Sequence, residues 1–153
     1  MHIALKLENE KLRPFRAHPT DAGADLFTKC ATLILPGEQK MIDTGVALKI
    51  PQGFVGYIFN RSSQGKLGIQ IANGTGIIDS DYRGNLKVLL KNTSQINYLI
   101  IPYVTRIAQL VISPVITPDF YDTSETEAEW LDTKRGAGGF GSSDATYQQN
   151  LPL

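Results

Sequence analysis

The chain has 153 residues, of which 42% are hydrophobic and 20% charged, a composition typical of a globular domain with a sizeable core. Fifteen lysines and arginines balance fifteen aspartates and glutamates, which excludes a global electrostatic attraction to nucleic acid or to an anionic membrane. No nucleic-acid partner and no membrane association are therefore expected. A polyanionic ligand would need a local group of cations.

Soft metal ligands are scarce. Cys30 is the only cysteine, and His2 and His18 are the only histidines, so an intrachain disulfide is excluded and a zinc site is not expected. A bound metal should be a hard, oxygen-ligated ion. Met1–Glu10 lacks the features of a signal peptide, and the longest nearly apolar run, Tyr98–Val104, is too short to span a bilayer. These features favour a cytoplasmic protein.

Strand patterns dominate the first 117 residues. Short apolar or alternating runs rich in β-branched residues predict strands at Ile3–Leu7, Ala31–Leu35, Lys40–Asp43, Val46–Ile50, Phe54–Phe59, Asn85–Leu90 and Ile107–Ile116. Gly and Pro separate these runs, for example at Pro36-Gly37. Strands that recur about every ten residues favour an all-β sandwich or barrel over βαβ units.

Two stretches could form short helical turns, Ser63–Leu67 and Ser124–Leu131. The second has the spacing of a capping box between Ser124 and Glu127, although an exposed acidic loop explains the same residues equally well. The composition shifts at Pro118, after which the chain is first acidic and then glycine-rich. We therefore expect a β body over residues 1–117 and a C-terminal arm over residues 118–153.

The glycine-rich part of the arm, Arg135–Ser143, matches the spacing of the dinucleotide-binding fingerprint. No strand leads into it and too few residues follow it for a βαβ unit, so this match is rejected. The segment offers unobstructed backbone N–H groups, hydroxyls, a guanidinium at Arg135 and a ring at Phe140, which suit a phosphate-binding lid that stacks on a base. A disordered Gly/Ser tail is the alternative.

Two segments at strand ends carry side chains suited to a ligand. Asn60–Lys66 offers two cations and two hydroxyls, and Arg61 can bind phosphate oxygens bidentately, although a solvated turn is the simpler explanation of this segment alone. The apolar run Gly76–Ile78 is expected to be buried, which would place the Asp79 carboxylate at the margin of the core as a candidate general base. A turn before Gly84 explains Asp79 equally well.

Two further polar positions stand out. Gln109 lies inside an otherwise apolar strand, so its amide needs hydrogen-bond partners in the protein or in a ligand. Asp21 and Asp25 flank a glycine near the N-terminus, which a tight turn explains.

Taken together, these segments resemble the five ordered motifs of the trimeric dUTPase family, in its bacterial or phage form. The motifs are Ala22–Leu26, Arg61–Ser63 with Lys66, Gly76–Gly84, Arg106–Leu110 and Arg135–Ser142. The resemblance implies a jelly-roll-like β-sandwich that assembles as a homotrimer with active sites shared between subunits. It also implies a dUTP diphosphatase that hydrolyses dUTP to dUMP and pyrophosphate with Mg²⁺, limiting uracil in DNA and supplying dUMP for dTMP synthesis.

The resemblance also implies roles for residues at the nucleoside end of the site. Asp79 corresponds to the base that deprotonates the attacking water. Tyr82 corresponds to the ring that packs under deoxyribose and excludes a 2′-hydroxyl. Asn73 corresponds to the side chain that reads uracil, together with backbone groups of the Asn73–Asp79 hairpin that include Ile77 and Ile78.

The remaining implied roles concern the pocket wall, the phosphates and the metal. The phosphate-binding set is Arg61, Ser62, Ser63 and Gln109 in the body, with Arg135, Gly141 and Ser142 in the arm. Lys87 corresponds to another residue that lines the nucleoside pocket, and Phe140 to the ring that closes over the base. Asp25 corresponds to the acid that touches the hydration shell of Mg²⁺, the ion itself being held by the triphosphate.

Two other functions compete with this one. dCTP deaminase shares the implied fold, but its catalytic glutamate falls here on Leu89, ten residues after Asp79. A non-catalytic trimeric binding module would tolerate loss of Asp79 or of the arm motif, and both are present. The sequence does not exclude an additional regulatory protein partner. Three residues depart from the family pattern. Asn60 replaces a frequent proline and is expected to loosen its turn. Ser63 replaces a frequent glycine, a variation that the family also shows, and Asp144 replaces a frequent glycine.

Overall fold

The computed structural model describes residues 1–138, and most of their regular structure is short β-strand. The strands are β1 (Ala4–Leu7), β2 (Ala24–Phe27), β3 (Thr32–Ile34), β4 (Gln39–Asp43), β5 (Val46–Lys49), β6 (Phe54–Phe59), β7 (Ile69–Ile71), β8 (Gly76–Ile78), β9 (Lys87–Asn92), β10 (Leu99–Ile101) and β11 (Arg106–Pro114). The helical elements are a 3-10 turn (Glu10–Leu12), α1 (Ser62–Lys66) and α2 (Glu127–Trp130). The predicted all-β class is confirmed.

The strands pair in antiparallel fashion to form four small sheets. Their orders are β2-β11-β6-β8, β4-β9-β7, β1-β5 and β10-β3. The inner faces enclose one aliphatic core, whose fully buried members include Leu26, Ile34, Ile58, Leu86, Leu90 and Ile107. Because partners such as β2 and β11 are distant in sequence, their pairing brings segments from both ends of the body together.

Four strands are absent from those predicted from the sequence. β2 occupies part of the segment in which only a glycine turn was expected, and β7, β8 and β10 have three residues each. Such short runs give too few residues for an alternating pattern to be recognised. The strand expected over Asn85–Leu90 starts at Lys87 and continues to Asn92, because its pairing with β4 and β7 sets its length.

The cap of α2 differs from the predicted one. Thr126 Oγ1 accepts a hydrogen bond from Glu129 N (3.3 Å), and Glu129 Oε2 accepts one from Thr126 N (2.8 Å). The capping box is therefore Thr126–Glu129, and the expected box from Ser124 to Glu127 is wrong. Both pairs have the same spacing, so local sequence could not separate them.

Residue contacts divide the chain into two compact units, Met1–Thr117 and Pro118–Leu153. Every strand within residues 1–138 belongs to the first unit, and α2 belongs to the second. Over the described range, none of the helices combines the length and the apolar character that crossing a membrane requires.

A polar cluster joins the ends of several strands in the body. Lys29 Nζ, just after β2, lies 3.0 Å from Glu8 Oε1 and 2.8 Å from Asp43 Oδ2. Asn85 Nδ2 donates to Glu8 Oε1 (2.6 Å) and to Asp43 Oδ1 (3.2 Å). We refer to Glu8, Lys29, Asp43 and Asn85 as the strand-end cluster. It connects the chain after β1, β2 and β4 to the segment before β9.

The pKa values within the strand-end cluster depend on one another. Hydrogen bonds from Lys29 and Asn85 lower the pKa of Glu8. Burial raises the pKa of Asp43, but hydrogen bonds from Lys29, the Gly45 amide and Asn85 outweigh it, so that this pKa is also lowered. The bonds to Asp43 and Glu8 raise the pKa of Lys29.

The signs of these shifts define a pH window. The carboxylates stabilise the fold above their ordinary pKa values of 4.5 for Glu8 and 3.8 for Asp43, and this contribution is lost as the pH falls through the lowered folded values. The contribution of Lys29 is fully present below its ordinary value of 10.5 and is lost as the pH rises through the raised folded value. The cluster is therefore fully charged at neutral pH.

We expect Lys29→Met to lower the Tm at neutral pH, because Glu8 and Asp43 lose the cation that they share. The difference in Tm between wild type and variant should shrink as the pH falls from about 5 to about 3, where the carboxylates become protonated. Thermal unfolding followed by circular dichroism across this range measures the difference. Lys11→Met, which alters an exposed lysine, is the control. A difference that does not change with pH would contradict the assigned charges.

Candidate active site

An open pocket of about 390 Å³ lies where β6 ends and β11 begins. It is lined by Phe15, Ala17, Asp21, Ala22, Gly23, Asp25, Arg61, Arg106 and Gln109. We call it the arginine pocket. It brings together three of the segments singled out in the sequence, because β2 and β6 both pair with β11.

The Asp25 carboxylate organises the arginine pocket. Asp25 is only 8% exposed, and it is bound by Arg61, whose Nε donates to Oδ1 (2.7 Å) and whose Nη2 donates to Oδ2 (3.4 Å). Arg61 Nη1 also donates to Ser63 Oγ (3.2 Å), and Arg106 Nη1 lies 3.4 Å from Asp25 Oδ2. A guanidinium has five N–H groups, so Arg61 keeps two for a ligand.

Arg106 is held by two residues that the sequence did not single out. Its guanidinium carbon lies 5.3 Å from the centre of the Phe15 ring, a cation–π distance. Phe15 is fixed in turn by backbone hydrogen bonds to Asp25 in both directions, at 3.1 and 2.7 Å. The backbone of Arg106 is fixed by Gln64, whose Nε2 donates to the Arg106 carbonyl (2.8 Å).

The turn that carries Arg61 is tied down by its neighbours. Asn60 Nδ2 donates to the carbonyl of Ile69 (3.0 Å), so Asn60 connects the turn to β7. Gln64 is buried in α1, and Ser62 and Ser63 are exposed at its start. The side-chain oxygens of Asn60 and Gln64 are buried and have no hydrogen-bond partner within residues 1–138.

A second group of candidate residues, which we call the Asp79 region, consists of Asn73, Asp79, Tyr82 and Lys87. All four side chains are exposed. The predicted burial of Gly76–Ile78 is wrong in its centre, since Ile77 is 65% exposed. Side chains alternate between the two faces of a strand, so the middle residue of β8 turns outward, and Asp79 is open to water rather than at a buried margin.

The chain before Asp79 is not the expected hairpin. β7 pairs with β9 in the three-stranded sheet, whereas β8 pairs with β6 in the four-stranded sheet. Residues 72–75 therefore cross from one sheet to the other, with a turn at Gly74, whose φ of 74° suits glycine. Asn73 lies at this crossing, three residues before β8 begins.

Tyr82 is oriented by the two residues that follow Arg83. Its hydroxyl donates to the carbonyl of Asn85 (2.9 Å), and its ring lies against Gly84. A Cβ at position 84 would lie 2.5 Å from the Tyr82 hydroxyl oxygen, so any larger residue there would displace the ring from this position. Tyr82 N also donates to the carbonyl of Asp79 (3.2 Å), which closes the turn between them.

The arginine pocket and the Asp79 region do not meet within one chain. The four-stranded sheet has the order β2-β11-β6-β8. Asp25 on β2 is aligned with Gln109 on β11 and Phe59 on β6, whereas Gly76 on β8 is aligned with Ile58, the neighbour of Phe59. Asp79 is therefore separated from Asp25 by three interstrand spacings and by four residues in the strand direction. With about 4.8 Å between strands and 3.3 Å per residue, the two are roughly 20 Å apart.

The arm is described only in part. Arg135 Nε donates to the carbonyl of Gly138 (2.8 Å), which closes a local turn. The predicted residues Phe140, Gly141 and Ser142, and the departure at Asp144, lie outside the described residues.

The acidic side chains fit a hydrated metal better than a directly bound one. Residues 1–138 contain no group of three or more His, Cys, Asp or Glu side chains placed to hold a metal ion. Asp25 Oδ1 is engaged by Arg61 at 2.7 Å, yet a carboxylate has about four acceptor sites in all. Asp25 can therefore still accept a hydrogen bond from a water molecule in the hydration shell of an ion.

Comparison with known proteins identifies the family of this chain. The dUTPase family model matches residues 10–144. The chain belongs to the dUTPase family. It is 41% identical over 141 residues to the deoxyuridine 5'-triphosphate nucleotidohydrolase of Mycobacterium sp. (strain JLS), which covers 91% of this chain and 92% of that protein. It is 42% identical over 145 residues to the protein of the same name from Rhodococcus erythropolis, covering 94% and 86%.

Solved dUTPase structures share the fold. A mutant dUTPase of Staphylococcus bacteriophage 80alpha with dUpNHpp has a TM-score of 0.82 at 32% identity, covering 93% of this chain and 98% of that one. A mutant dUTPase of S. aureus phage phi11 that coordinates a structural Mg(II) ion has a TM-score of 0.76 at 31% identity, covering 83% and 99%. The family predicted from the motifs is confirmed.

This dUTPase-family chain contains supporting residues outside the five motifs. The sequence around Phe15 does not indicate its role, because its contact with Arg106 depends on an isolated β-bridge between Phe15 and Asp25. Glu8, Lys29 and Asp43 are ordinary charged residues in the sequence. The role of Gln64 was weakly indicated by the sequence, since a polar residue buried in a short helix needs hydrogen-bond partners.

We expect Asp25→Asn to lower the free energy of unfolding by about 2 kcal/mol, since the amide cannot replace both charge-assisted bonds to Arg61. Urea unfolding at a fixed protein concentration measures the change. Asp21→Asn is the matched control in the same pocket; within residues 1–138 its carboxylate accepts a hydrogen bond only from the His18 amide (2.9 Å), in a more exposed setting. Equal stability of the two variants would show that Asp25 does not organise the pocket.

Proposed function

We propose that the protein is a dUTP diphosphatase that hydrolyses dUTP to dUMP and pyrophosphate, which limits uracil in DNA and supplies dUMP for dTMP synthesis. The observation that carries this proposal is the family membership together with all five motifs in order. The relatives from Mycobacterium and Rhodococcus bear the name of this activity, and the phage 80alpha structure contains dUpNHpp. The exposed thiol of Cys30 has no disulfide partner, which supports a cytoplasmic location.

The Asp79 region supplies the nucleoside end of the proposed site. Asp79 is exposed, so its carboxylate can take a proton from a water molecule that attacks the phosphate. Tyr82 presents a ring backed by Gly84 to the deoxyribose, where it leaves no room for a 2′-hydroxyl. Asn73 and the backbone of Ile77 and Ile78 read the uracil edge. Lys87, exposed at the start of β9, is proposed to line the nucleoside pocket as well.

The arginine pocket supplies the phosphate end. Arg61 offers its two remaining N–H groups, Ser62 and Ser63 offer exposed hydroxyls, and Gln109 lines the wall. Mg²⁺, bound by the triphosphate, would offset its negative charge. Asp25 would accept a hydrogen bond from the hydration shell of that ion, while its own bonds to Arg61 keep the guanidinium in place. The arm residues Arg135, Phe140, Gly141 and Ser142 are proposed to close over the phosphates and the base.

The separation of the two regions supports a shared site in a homotrimer. Within one chain, Asp79 and Asp25 lie roughly 20 Å apart on a hydrogen-bonded sheet, by strand spacing and rise. The hydrogen-bonded order β2-β11-β6-β8 holds the two positions at this separation. A second copy that sets its Asp79 region against the arginine pocket of the first completes the site without distortion, and a closed ring of three copies repeats the same contact.

We expect Asp79→Asn to lower kcat by about 10² to 10⁴-fold, because the amide cannot accept the proton of the attacking water. Binding of a non-hydrolysable dUTP analogue should change little. Pyrophosphate release and isothermal titration measure the two effects. Asp81→Asn is the matched control, an exposed aspartate two residues away that should keep near wild-type kcat. An Asp79→Asn variant with half the wild-type kcat would remove Asp79 from the mechanism.

We expect activity to reappear when Asp79→Asn subunits are mixed with Arg61→Gln subunits, each inactive alone. If one site combines Asp79 from one copy with Arg61 from another, equal mixing leaves about a quarter of the sites intact. The Arg61→Gln amide still offers a donor to Asp25, which favours folding of that variant. The readout is dUTP turnover after subunit exchange, with mass spectrometry to verify the exchange. Exchange without recovery would mean that both residues act from the same chain.

A further inference from the structure

The strand-end cluster lies next to the Asp79 region but outside the five motifs. Its Asn85 has two functions at once. The Asn85 side chain is anchored, with Nδ2 donating to Glu8 Oε1 (2.6 Å) and to Asp43 Oδ1 (3.2 Å). The Asn85 backbone carbonyl accepts the hydrogen bond from the Tyr82 hydroxyl (2.9 Å). Asn85 thus connects Tyr82 to two carboxylates near the ends of β1 and β4.

Tyr82 depends on this connection for its orientation. It lies between β8 and β9 in a segment with no strand pairing, and it is 40% exposed. Its ring has contact with Gly84 on one side, and its hydroxyl ends at Asn85. A side chain with two rotatable bonds that is fixed at its tip keeps one ring orientation only while the acceptor stays in place.

Lys29 holds the two anchoring carboxylates together. Glu8 and Asp43 both accept from Asn85 Nδ2, so two negative charges converge on one amide group. Such a pair repels unless a cation lies between them. Lys29 Nζ is that cation, at 3.0 Å from Glu8 and 2.8 Å from Asp43. Without Lys29 the carboxylates would separate, and Asn85 would lose at least one of its anchors.

We propose that the strand-end cluster is a positioning device for Tyr82 and thereby sets the discrimination of the enzyme against a 2′-hydroxyl. Glu8, Lys29 and Asp43 act only through Asn85 and Tyr82. The proposal rests on the proposed function, in which the Tyr82 ring packs under the deoxyribose. A ring held in one position rejects the larger sugar, whereas a ring that can tilt makes room for it.

The decisive variant is Asn85→Ala, which removes the side-chain anchor but keeps the carbonyl that binds Tyr82. Lys29→Met removes the cation that holds Glu8 and Asp43 near the Asn85 side chain, and Lys29→Arg keeps that positive charge. The selectivity is the ratio of kcat/KM for dUTP to kcat/KM for UTP, measured well below the Tm of every variant. We expect this ratio to fall at least about tenfold in Asn85→Ala and Lys29→Met, with kcat for dUTP within about threefold of wild type.

Matched controls separate positioning from general loss of stability. Lys29→Arg should restore most of the selectivity, and Lys11→Met should leave it unchanged. The double variant Asn85→Ala/Lys29→Met should be no less selective than either single variant, since both break one connection. Selectivity within twofold of wild type in Asn85→Ala would overturn the proposal, and so would losses that add in the double variant.

A measurement independent of turnover keeps this proposal distinct from the proposed function. The Tyr82 amide donates to the carbonyl of Asp79, so its hydrogen exchange reports on the order of the turn. We expect faster exchange at Tyr82 in Asn85→Ala and Lys29→Met, with unchanged exchange at the buried Leu90 in β9. Unchanged exchange at Tyr82 would overturn the positioning role. A wild-type protein that fails to hydrolyse dUTP while the variants still show faster exchange would instead refute the proposed function.

Discussion

The architecture of the arginine pocket depends on one buried carboxylate. Asp25 is nearly excluded from solvent, and a charge in such a place is tolerated only when cations and hydrogen bonds compensate it. Arg61 and Arg106 provide that compensation from the end of β6 and the start of β11. The same contacts that make the carboxylate acceptable hold both arginines at the pocket wall. The ion pairs that stabilise the buried carboxylate therefore also position Arg61, the residue proposed to bind phosphate.

The sequence predicted the all-β class and the family because these depend on local patterns: alternating strands, glycine turns and five short motifs. It could not predict how the motifs meet. The pairing of β2 with β11 links residues some eighty positions apart, and no local period encodes it. The same limit applies to Phe15 and to the strand-end cluster, whose members become neighbours only through pairing. The hairpin predicted before Asp79 is not observed for the same reason, because β7 and β8 pair with strands of different sheets.

The division of the candidate site between two regions follows from the stiffness of the sheet. The ladder β2-β11-β6-β8 sets the distance between its first and last strands, so residues on β2 and after β8 lie roughly 20 Å apart within one chain by strand spacing and rise. In the proposed homotrimer, a second copy would bring the two regions together. The strand-end cluster and the contact of Asn60 with Ile69 would then each hold one of the two regions in place.

The position of β8 at the sheet edge has a consequence for solubility. An edge strand offers unpaired backbone groups to which a strand of another molecule can add, and exposed Ile77 makes this edge apolar as well. The strand stops after three residues, and two aspartates, Asp79 and Asp81, follow it at once. Negative charge at the tip of a short edge strand repels an incoming strand. The carboxylate proposed as the catalytic base thus also places negative charge at the edge where a strand of another molecule could add.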